Sequence, residues 1–151
     1  RERDLDIRFI EFMPLDSGRS WNPGRVVSES EIIESIEQRH GLEQRDSQNL
    51  HSTSRDYHFK DGAPGRIGVI ASVTRPFCGA CNRLRVTAEG AVRPCLFSNT
   101  EWDIRPLLRS GGSHDDIVRF LVDSVWTKQA GHGIGRDDFK QPDRGMSAIG
   151  G

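Results

Sequence analysis

The three cysteines of this 151-residue chain lie in one short block and are its only ones. Cys78 and Cys81 are separated by two residues, and Cys95 follows after thirteen more. Two thiolates on one turn and a third from a returning segment suit a metal ion or an iron–sulfur cluster with one coordination position open. An open position lets a metal site bind substrate, so this spacing indicates chemistry rather than a purely structural site.

The spacing alone leaves two identities of the metal open. Structural zinc usually takes four protein ligands, and the fourth would have to be a histidine without signature spacing. The candidates for that fourth ligand are His51, His58, His114 and His132. A [4Fe–4S] cluster bound by three cysteines instead leaves one iron for substrate. A disulfide framework is disfavoured, because three cysteines cannot all pair within one chain.

Two arginines follow the cysteine pair closely. Arg83 and Arg85 share parity with Cys81, so on an extended strand all three side chains would point to one face. Guanidinium groups bind phosphate well, which favours a phosphate-bearing anionic substrate beside the metal site. The alternative is that the two arginines lie on a solvated strand face and form salt bridges.

A hairpin is predicted between the second and third cysteines. Residues 84–88 and 91–95 read as strands around the Glu89-Gly90 turn, and their antiparallel course returns Cys95 toward the first two cysteines. A second hairpin is predicted from residues 57–60 and 67–73. Residues 103–109 are expected to form a short helix with Pro106 in its first turn. Ser113 with Asp116 is predicted to cap a longer helix. The face of this helix predicted to be core is Ile117, Val118, Leu121, Val122, Val125 and Trp126.

The first part of the chain reads as one strand–loop–helix unit. Residues 5–12 predict a strand buried on both sides, as in parallel sheets and barrels. The charged Arg8 and Glu11 are an anomaly in such a strand, because burying a charge without a partner is costly. They indicate either an ion pair, for instance between the two, or an Arg8 side chain that faces a pocket. Ser28 with Glu31 predicts a helix that ends near residue 41, with an apolar stripe formed by Ile32, Ile33 and Ile36. Residues 43–56 read as a polar linker or mobile loop, and residues 129–151 as an irregular tail.

Composition limits the class of protein. Only 34% of residues are apolar and 28% are charged, which suggests that some apolar surface is meant for a partner segment. The net charge of −1 argues against nucleic-acid binding. Eighteen arginines against three lysines reflect either base composition or phosphate binding. No membrane-spanning run or signal peptide is evident, so a cytoplasmic location is expected.

Three stretches resemble one family, the GTP 3′,8-cyclases of molybdenum cofactor biosynthesis (MoaA). The cysteine block resembles the C-terminal cluster motif of that family, and the strand around Arg8 resembles its late barrel strand. The last residues resemble its tail with paired glycines. The stretches are Phe77-Cys78-x-x-Cys81-Asn82-Arg83-x-Arg85 with Cys95-Leu96-Phe97, Arg8-Phe9-Ile10-Glu11-Phe12-Met13, and Met146-Ser147-Ala148-Ile149-Gly150-Gly151.

The resemblance implies an α/β to α+β architecture. Residues 1–42 would be the end of an incomplete TIM-like (β/α) barrel, residues 43–128 a hairpin-and-helix cluster domain, and residues 129–151 the tail. In such enzymes one [4Fe–4S] cluster cleaves S-adenosylmethionine, and the resulting radical abstracts the ribose 3′ hydrogen of GTP. The product is (8S)-3′,8-cyclo-7,8-dihydroguanosine 5′-triphosphate. A second [4Fe–4S] cluster binds the guanine.

The same resemblance implies roles for individual residues. Cys78, Cys81 and Cys95 would bind the second cluster. Residues matching GTP contacts are Arg83, Leu84, Arg85 and Arg8. Met13 would lie beside S-adenosylmethionine, and Gly150 and Gly151 would reach into the active site. The resemblance also implies an electron donor, and a homodimer is compatible with it.

One family feature is missing from this sequence. The C-x3-C-x2-C motif that binds the radical-generating cluster does not occur, since all three cysteines belong to the other motif. The chain therefore resembles the C-terminal part of such an enzyme, about 45% judged from domain size, and alone is not expected to cyclise GTP. Two alternatives remain: a zinc-binding module without chemistry of its own, and the auxiliary-cluster domain of another radical S-adenosylmethionine enzyme.

Overall fold

The computed structural model of this chain describes residues 3–45, 47 and 49–149. The chain divides into two compact units. One comprises Arg1–Met13 and Trp21–Cys81, and the other comprises Pro14–Ser20 and Asn82–Gly151. The described part has mixed α/β structure, with one open sheet in each unit and few helices.

The first unit is built on a four-stranded sheet. Its strands lie in the order β1-β4-β3-β2, with β1 parallel to β4 and the other neighbours antiparallel. The strands are β1 (Asp6–Ile10), β2 (Leu42–Arg45), β3 (Arg55–Phe59) and β4 (Arg66–Ile70). The predicted hairpin of β3 and β4 is confirmed. The parallel pairing of β1 agrees with the predicted type of sheet.

Helix α1 (Glu29–Glu37) packs on this sheet. The predicted capping box is confirmed, because the Ser28 hydroxyl accepts from the Glu31 N–H and the Glu31 carboxylate accepts from the Ser28 N–H. The predicted isoleucine stripe contacts the buried core of the sheet. The core residues are Leu42, Tyr57, Ile67 and Val69, and the partly buried residues against them are Ile32, Ile33, Ile36 and Phe59.

The linker predicted for residues 43–56 is wrong at both ends, because its first residues belong to β2 and its last two to β3. Strand β2 pairs antiparallel with β3 over Leu42–Arg45, and only Leu42 is buried. An edge strand with three exposed polar residues carries no sequence signature, since its pairing comes from the neighbouring strand rather than from propensity. Residues 46 and 48 of the predicted linker lie outside the described residues.

Strand β1 is shorter and far more exposed than predicted. All five of its residues are exposed, including Ile7 at 51% and Ile10 at 57%. The strand lies at the edge of its sheet, and no described strand pairs with its outer side. Burial on both faces is therefore wrong for this chain, although the exposed apolar residues agree with the expectation of surface meant for a partner segment.

The second unit contains a three-stranded antiparallel sheet in the order β5-β6-β7. Its strands are β5 (Arg85–Val86), β6 (Ala91–Arg93) and β7 (Trp102–Asp103). The hairpin predicted around Glu89-Gly90 is confirmed with shorter strands. Gly90 has a φ of +81°, a backbone conformation that residues with a side chain rarely adopt.

Two helices follow the three-stranded sheet, α2 (Arg105–Arg109) and α3 (His114–Trp126). The predicted capping box of Ser113 with Asp116 is confirmed. The predicted core face of α3 is mostly wrong. Ile117 and Leu121 are half-buried, whereas the rest of that face, Val118, Val122, Val125 and Trp126, is exposed.

The buried face of α3 is rotated toward Phe120 and Ser124. Ser124 is fully buried, and the Phe120 ring packs edge-on against Trp102 of β7 with centroids 5.9 Å apart. After α3 the described chain is irregular up to residue 149, apart from a 3-10 helix over Met146–Ala148. No helix among the described residues is long and apolar enough to cross a membrane.

Candidate functional site

The first two cysteines lie on one tight turn. A 3-10 helix spans Cys78–Ala80, and the Cys81 N–H donates to the Cys78 carbonyl over 3.1 Å. Both thiols are half-buried, and neither forms a disulfide. Cys78 and Cys81 therefore lie at the two ends of a single backbone turn. This is the local geometry that the C-x2-C spacing predicts.

His51 supports this turn from outside. Its Nδ1 lies 2.6 Å from the Ala80 carbonyl, and because a carbonyl oxygen only accepts, Nδ1 carries the proton. Metal-binding histidines often bond a backbone carbonyl through their second nitrogen, so this contact is compatible with the zinc alternative as well. Sequence analysis named His51 only as one of several ligand candidates.

Cys95 belongs to the other unit and directly follows Arg93-Pro94. Its half-buried sulfur accepts a hydrogen bond from Gln129 Nε2 at 3.7 Å. Within residues 3–45, 47 and 49–149, no three side chains from His, Cys, Asp and Glu form a group that could hold a metal ion. The convergence of all three sulfurs therefore stays a prediction. Gln129 was missed, because nothing in its sequence context distinguishes it from other polar residues after a helix.

The segment with the two candidate phosphate-binding arginines is half-buried throughout. Lys128 Nζ donates to the Arg83 carbonyl over 3.0 Å, and Arg85 begins β5. Residues 81–84 are not part of a strand. The alternation of side chains along a strand therefore cannot be used to place Cys81 and Arg83 on the same face as Arg85. A common orientation of Cys81, Arg83 and Arg85 stays a prediction.

A buried arginine lies across the hairpin from Arg85. The two residues pair directly in the β5–β6 register, although like charges in opposite positions are unfavourable. Arg93 is 1% exposed and donates to the Glu101 carboxylate and to the Ser98 carbonyl. Glu101 also accepts from Arg144 Nε at 2.9 Å. This network ties the loop that carries Cys95 to the tail, and sequence analysis did not identify it.

The tail is held by further contacts within the second unit. Met146 N–H donates to the Leu15 carbonyl over 3.0 Å, and Asp143 pairs with Arg19 at 2.9 Å. The Asp143 N–H also donates to Asn99 Oδ1 over 2.9 Å. Gly150 and Gly151, the predicted active-site end of the tail, lie outside the described residues.

The predicted site residues of the N-terminal stretch lie on and after β1. Arg8 is exposed and pairs with Asp6 at 2.8 Å, which agrees with the ion-pair interpretation but with a different partner from Glu11. Hydrogen bonds from Arg66 and then Arg8 lower the pKa of Asp6. Met13 is half-buried. Their contacts to GTP and S-adenosylmethionine stay predictions.

A buried acidic residue orders the first unit. Glu29, at the start of α1, is 3% exposed and accepts from Arg55 Nη1 at 2.7 Å and from the Tyr57 hydroxyl at 2.8 Å. Burial first, and then the bond to Glu29, raise the pKa of Tyr57 to about 12. Tyr57 is the only tyrosine of the chain, so its titration can be observed directly.

A phenolate absorbance titration of the folded chain is expected to have its midpoint at about pH 12, well above the ordinary tyrosine value of about 10. Because folding favours the neutral phenol, this stabilisation is complete below the unfolded pKa and is lost as the pH rises toward the folded one. Glu29→Gln should lower the midpoint, since it removes the charge beside the hydroxyl. A midpoint at the ordinary value while circular dichroism still reports folded protein would contradict the prediction.

The second unit also contains an open cavity of about 340 Å³ beside Gln129. Phe97 and His132 line it and pack edge to face with ring centroids 5.2 Å apart. His132 Nδ1 accepts from the Ile134 N–H at 2.9 Å, so that nitrogen is already used. His132 was one of the predicted fourth ligands for zinc, and this contact leaves only Nε2 for such a role.

Comparison with known proteins identifies relatives over nearly the whole chain. Residues 5–134 match a family model described as Molybdenum Cofactor Synthesis C. The chain is 46% identical to a GTP 3′,8-cyclase of Streptomyces coelicolor, over 99% of this chain and 44% of the relative. It is 43% identical to a GTP 3′,8-cyclase of Rhodopirellula baltica and 44% identical to a GTP 3′,8-cyclase 2 of Mycobacterium tuberculosis, each over 99% of this chain and 42% of the relative. The chain thus spans less than half the length of these relatives.

Proposed function

This chain belongs to the molybdenum cofactor synthesis C family, and from that premise we propose that it is the substrate-binding, C-terminal portion of a GTP 3′,8-cyclase. Alignment with named cyclases over 99% of the chain supports this assignment. The complete enzyme would convert GTP to (8S)-3′,8-cyclo-7,8-dihydroguanosine 5′-triphosphate. The four-stranded sheet of the first unit would continue an incomplete barrel across the open edge of β1, whose apolar residues are exposed.

The chemistry of the donor set fits an iron–sulfur cluster. Cys78, Cys81 and Cys95 are half-buried thiols outside disulfides, and thiolates are the usual ligands of [4Fe–4S] clusters. Three ligands leave one iron open, and that iron would supply a Lewis-acidic position for the guanine. The chain's own part is to present the thiolates, two of them on one backbone turn.

The triphosphate would be bound by Arg83 and Arg85, with Leu84 between them. Guanidinium groups make strong, charge-assisted hydrogen bonds to phosphate oxygens. Arg8 would be a further GTP contact, and its present ion pair with Asp6 is an exposed one, a class that contributes little and is easily exchanged. Met13 would contact S-adenosylmethionine, and the Gly150-Gly151 tail would enter the active site.

The radical-generating steps belong to the rest of the enzyme in this proposal. S-adenosylmethionine cleavage requires the first [4Fe–4S] cluster and an electron donor, and this sequence has no C-x3-C-x2-C motif. The chain alone is therefore expected to form no 5′-deoxyadenosine from S-adenosylmethionine and a reductant. Turnover by the chain alone would contradict this division of labour.

The observation that carries the proposal is the Cys78–Cys81 turn followed by Arg83 and Arg85, in a chain that aligns with a cyclase over 99% of its own length. Anaerobic reconstitution with iron and sulfide is expected to give a brown protein with about four irons per chain. A Cys95→Ala variant should lose most of that iron. A colourless protein that binds one zinc and no iron would favour the zinc-binding module instead.

A further inference from the structure

One buried carboxylate gathers donors from two other segments of the first unit. Glu11 follows β1 and is 2% exposed. Its carboxylate accepts from the backbone N–H groups of Val73 at 2.7 Å and Thr74 at 2.9 Å, and from the Thr74 hydroxyl at 2.5 Å. It also accepts from the Glu29 N–H at 3.2 Å. The segment of Val73 and Thr74 ends four residues before Cys78.

The four donor groups around the Glu11 side chain require an acceptor at position 11. A buried carboxylate is costly unless it is hydrogen-bonded, and four donors satisfy both of its oxygens. The N–H of Glu29 lies in the first turn of α1, where it has no partner within the helix. Val73 and Thr74 have already left β4, so the sheet offers their N–H groups no strand partner.

An ion pair reinforces the same segment. Arg75, next to Thr74, has its Nη1 3.5 Å from Glu29 Oε2. The chain between β4 and the cysteine turn is therefore fixed at three successive residues by two buried carboxylates. Of the two, only Glu11 accepts from the backbone itself, and so it determines the path of the main chain.

We propose that Glu11 is a positioning residue for the cysteine turn, a role that rests on the proposed function of Cys78 and Cys81 as cluster ligands. It touches neither cysteine. By fixing Val73 and Thr74 it sets the direction in which the chain enters the Cys78–Ala80 turn, and thereby holds two thiolates ready before any cluster binds.

Glu11→Gln tests this role with little change in side-chain shape. The amide replaces one acceptor oxygen with an N–H donor, which then faces groups that themselves need an acceptor. In the metal-free chain, hydrogen exchange at Val73 and Thr74 is expected to accelerate about tenfold or more, since charge-assisted bonds are lost. Alkylation of Cys78 and Cys81, resolved by peptide mapping, should accelerate with it. Cys95 lies in the other unit and serves as the internal control.

Glu31→Gln is the matched control variant. It makes the same carboxylate-to-amide change in the α1 capping box, where, among the described residues, the Glu31 carboxylate bonds only to Ser28. It should leave exchange at Val73 and Thr74 and alkylation of both cysteines unchanged. After reconstitution, Glu11→Gln should also release iron to a chelator faster than wild type, whereas Glu31→Gln should not.

Thr74→Val provides the second variant, since it removes only the hydroxyl donor and keeps the backbone. A smaller acceleration of cysteine alkylation, about threefold, is expected. Wild-type exchange and alkylation in a folded Glu11→Gln chain would overturn the proposal. Should Glu11→Gln fail to fold, unchanged alkylation in Thr74→Val would overturn it. Failure of the proposed function looks different: the wild-type chain would bind no iron, while the metal-free measurements would still respond.

Discussion

Replacing both Arg83 and Arg85 with alanine is expected to weaken GTP binding by the reconstituted chain about 100-fold or more. A hydrogen bond to a charged group contributes about 1.5–3 kcal/mol, so two guanidinium–phosphate contacts account for at least about 3 kcal/mol. Both side chains are half-buried, which limits the screening of their charge by solvent. Anaerobic titration calorimetry with GTP measures the change.

The matched control is the double variant Arg109→Ala/Arg119→Ala. It removes the same two charges from exposed positions on α2 and α3 of the same unit. Guanosine, which lacks the phosphates, should bind the Arg83/Arg85 variant as it binds wild type. Equal GTP affinity in both double variants would contradict the phosphate role. It would favour the auxiliary-cluster domain of an enzyme with a different substrate.

Local rules predicted the parts of this fold that depend on neighbours in sequence. The capping boxes at Ser28 and Ser113 and the Gly90 turn were predicted because each satisfies its own backbone within a few residues. The same applies to the turn of Cys78–Ala80. Spacing of three residues is enough to place two cysteines on one turn, whatever the rest of the chain does.

Features that depend on distant pairing were not predictable in this way. Residues Leu42–Arg45 form a strand because β3 offers an unpaired edge, and their polar sequence gives no sign of it. The α3 face was misassigned because periodicity fits several adjacent faces, and Trp102 packing against Phe120 selects one of them. Strand β1 reads as buried because its sequence is apolar, while its burial depends on a neighbour that the described residues do not include.

The residues of the candidate site fall into the same two groups, those recognisable from local sequence and those that depend on distant contacts. The cysteines and Arg83 and Arg85 are identified by type and spacing. Glu11 and Arg93, which support the chain around them, bond to groups with no periodic relation to their own positions. In the sequence, Glu11 stands out only as a charged anomaly in an apolar strand. That anomaly was the available signal, because a buried charge requires partners.

Arg93→Met is expected to lower the free energy of unfolding by about 3 kcal/mol, since removing the buried member of an ion pair leaves its partner with less charge compensation. The loss affects Glu101 and also the Ser98 carbonyl, which accepts from the same guanidinium. Arg144 still donates to the Glu101 carboxylate from Nε at 2.9 Å and from Nη2 at 3.3 Å, which limits the loss of stability. Urea unfolding followed by tryptophan fluorescence measures the change.

Arg105→Met is the control for this variant, since Arg105 forms an exposed pair with Asp103 in the same unit and such pairs contribute little. Replacing both members, Arg93→Met with Glu101→Leu, should recover part of the lost stability, because no buried charge is left unpaired. A loss in Arg93→Met no larger than that in Arg105→Met would contradict the prediction. Arg93 lies two residues before Cys95, so its removal should also weaken iron retention. The double replacement should restore stability more fully than iron binding, because it also removes the Glu101 carboxylate that bonds to Arg144 in the tail.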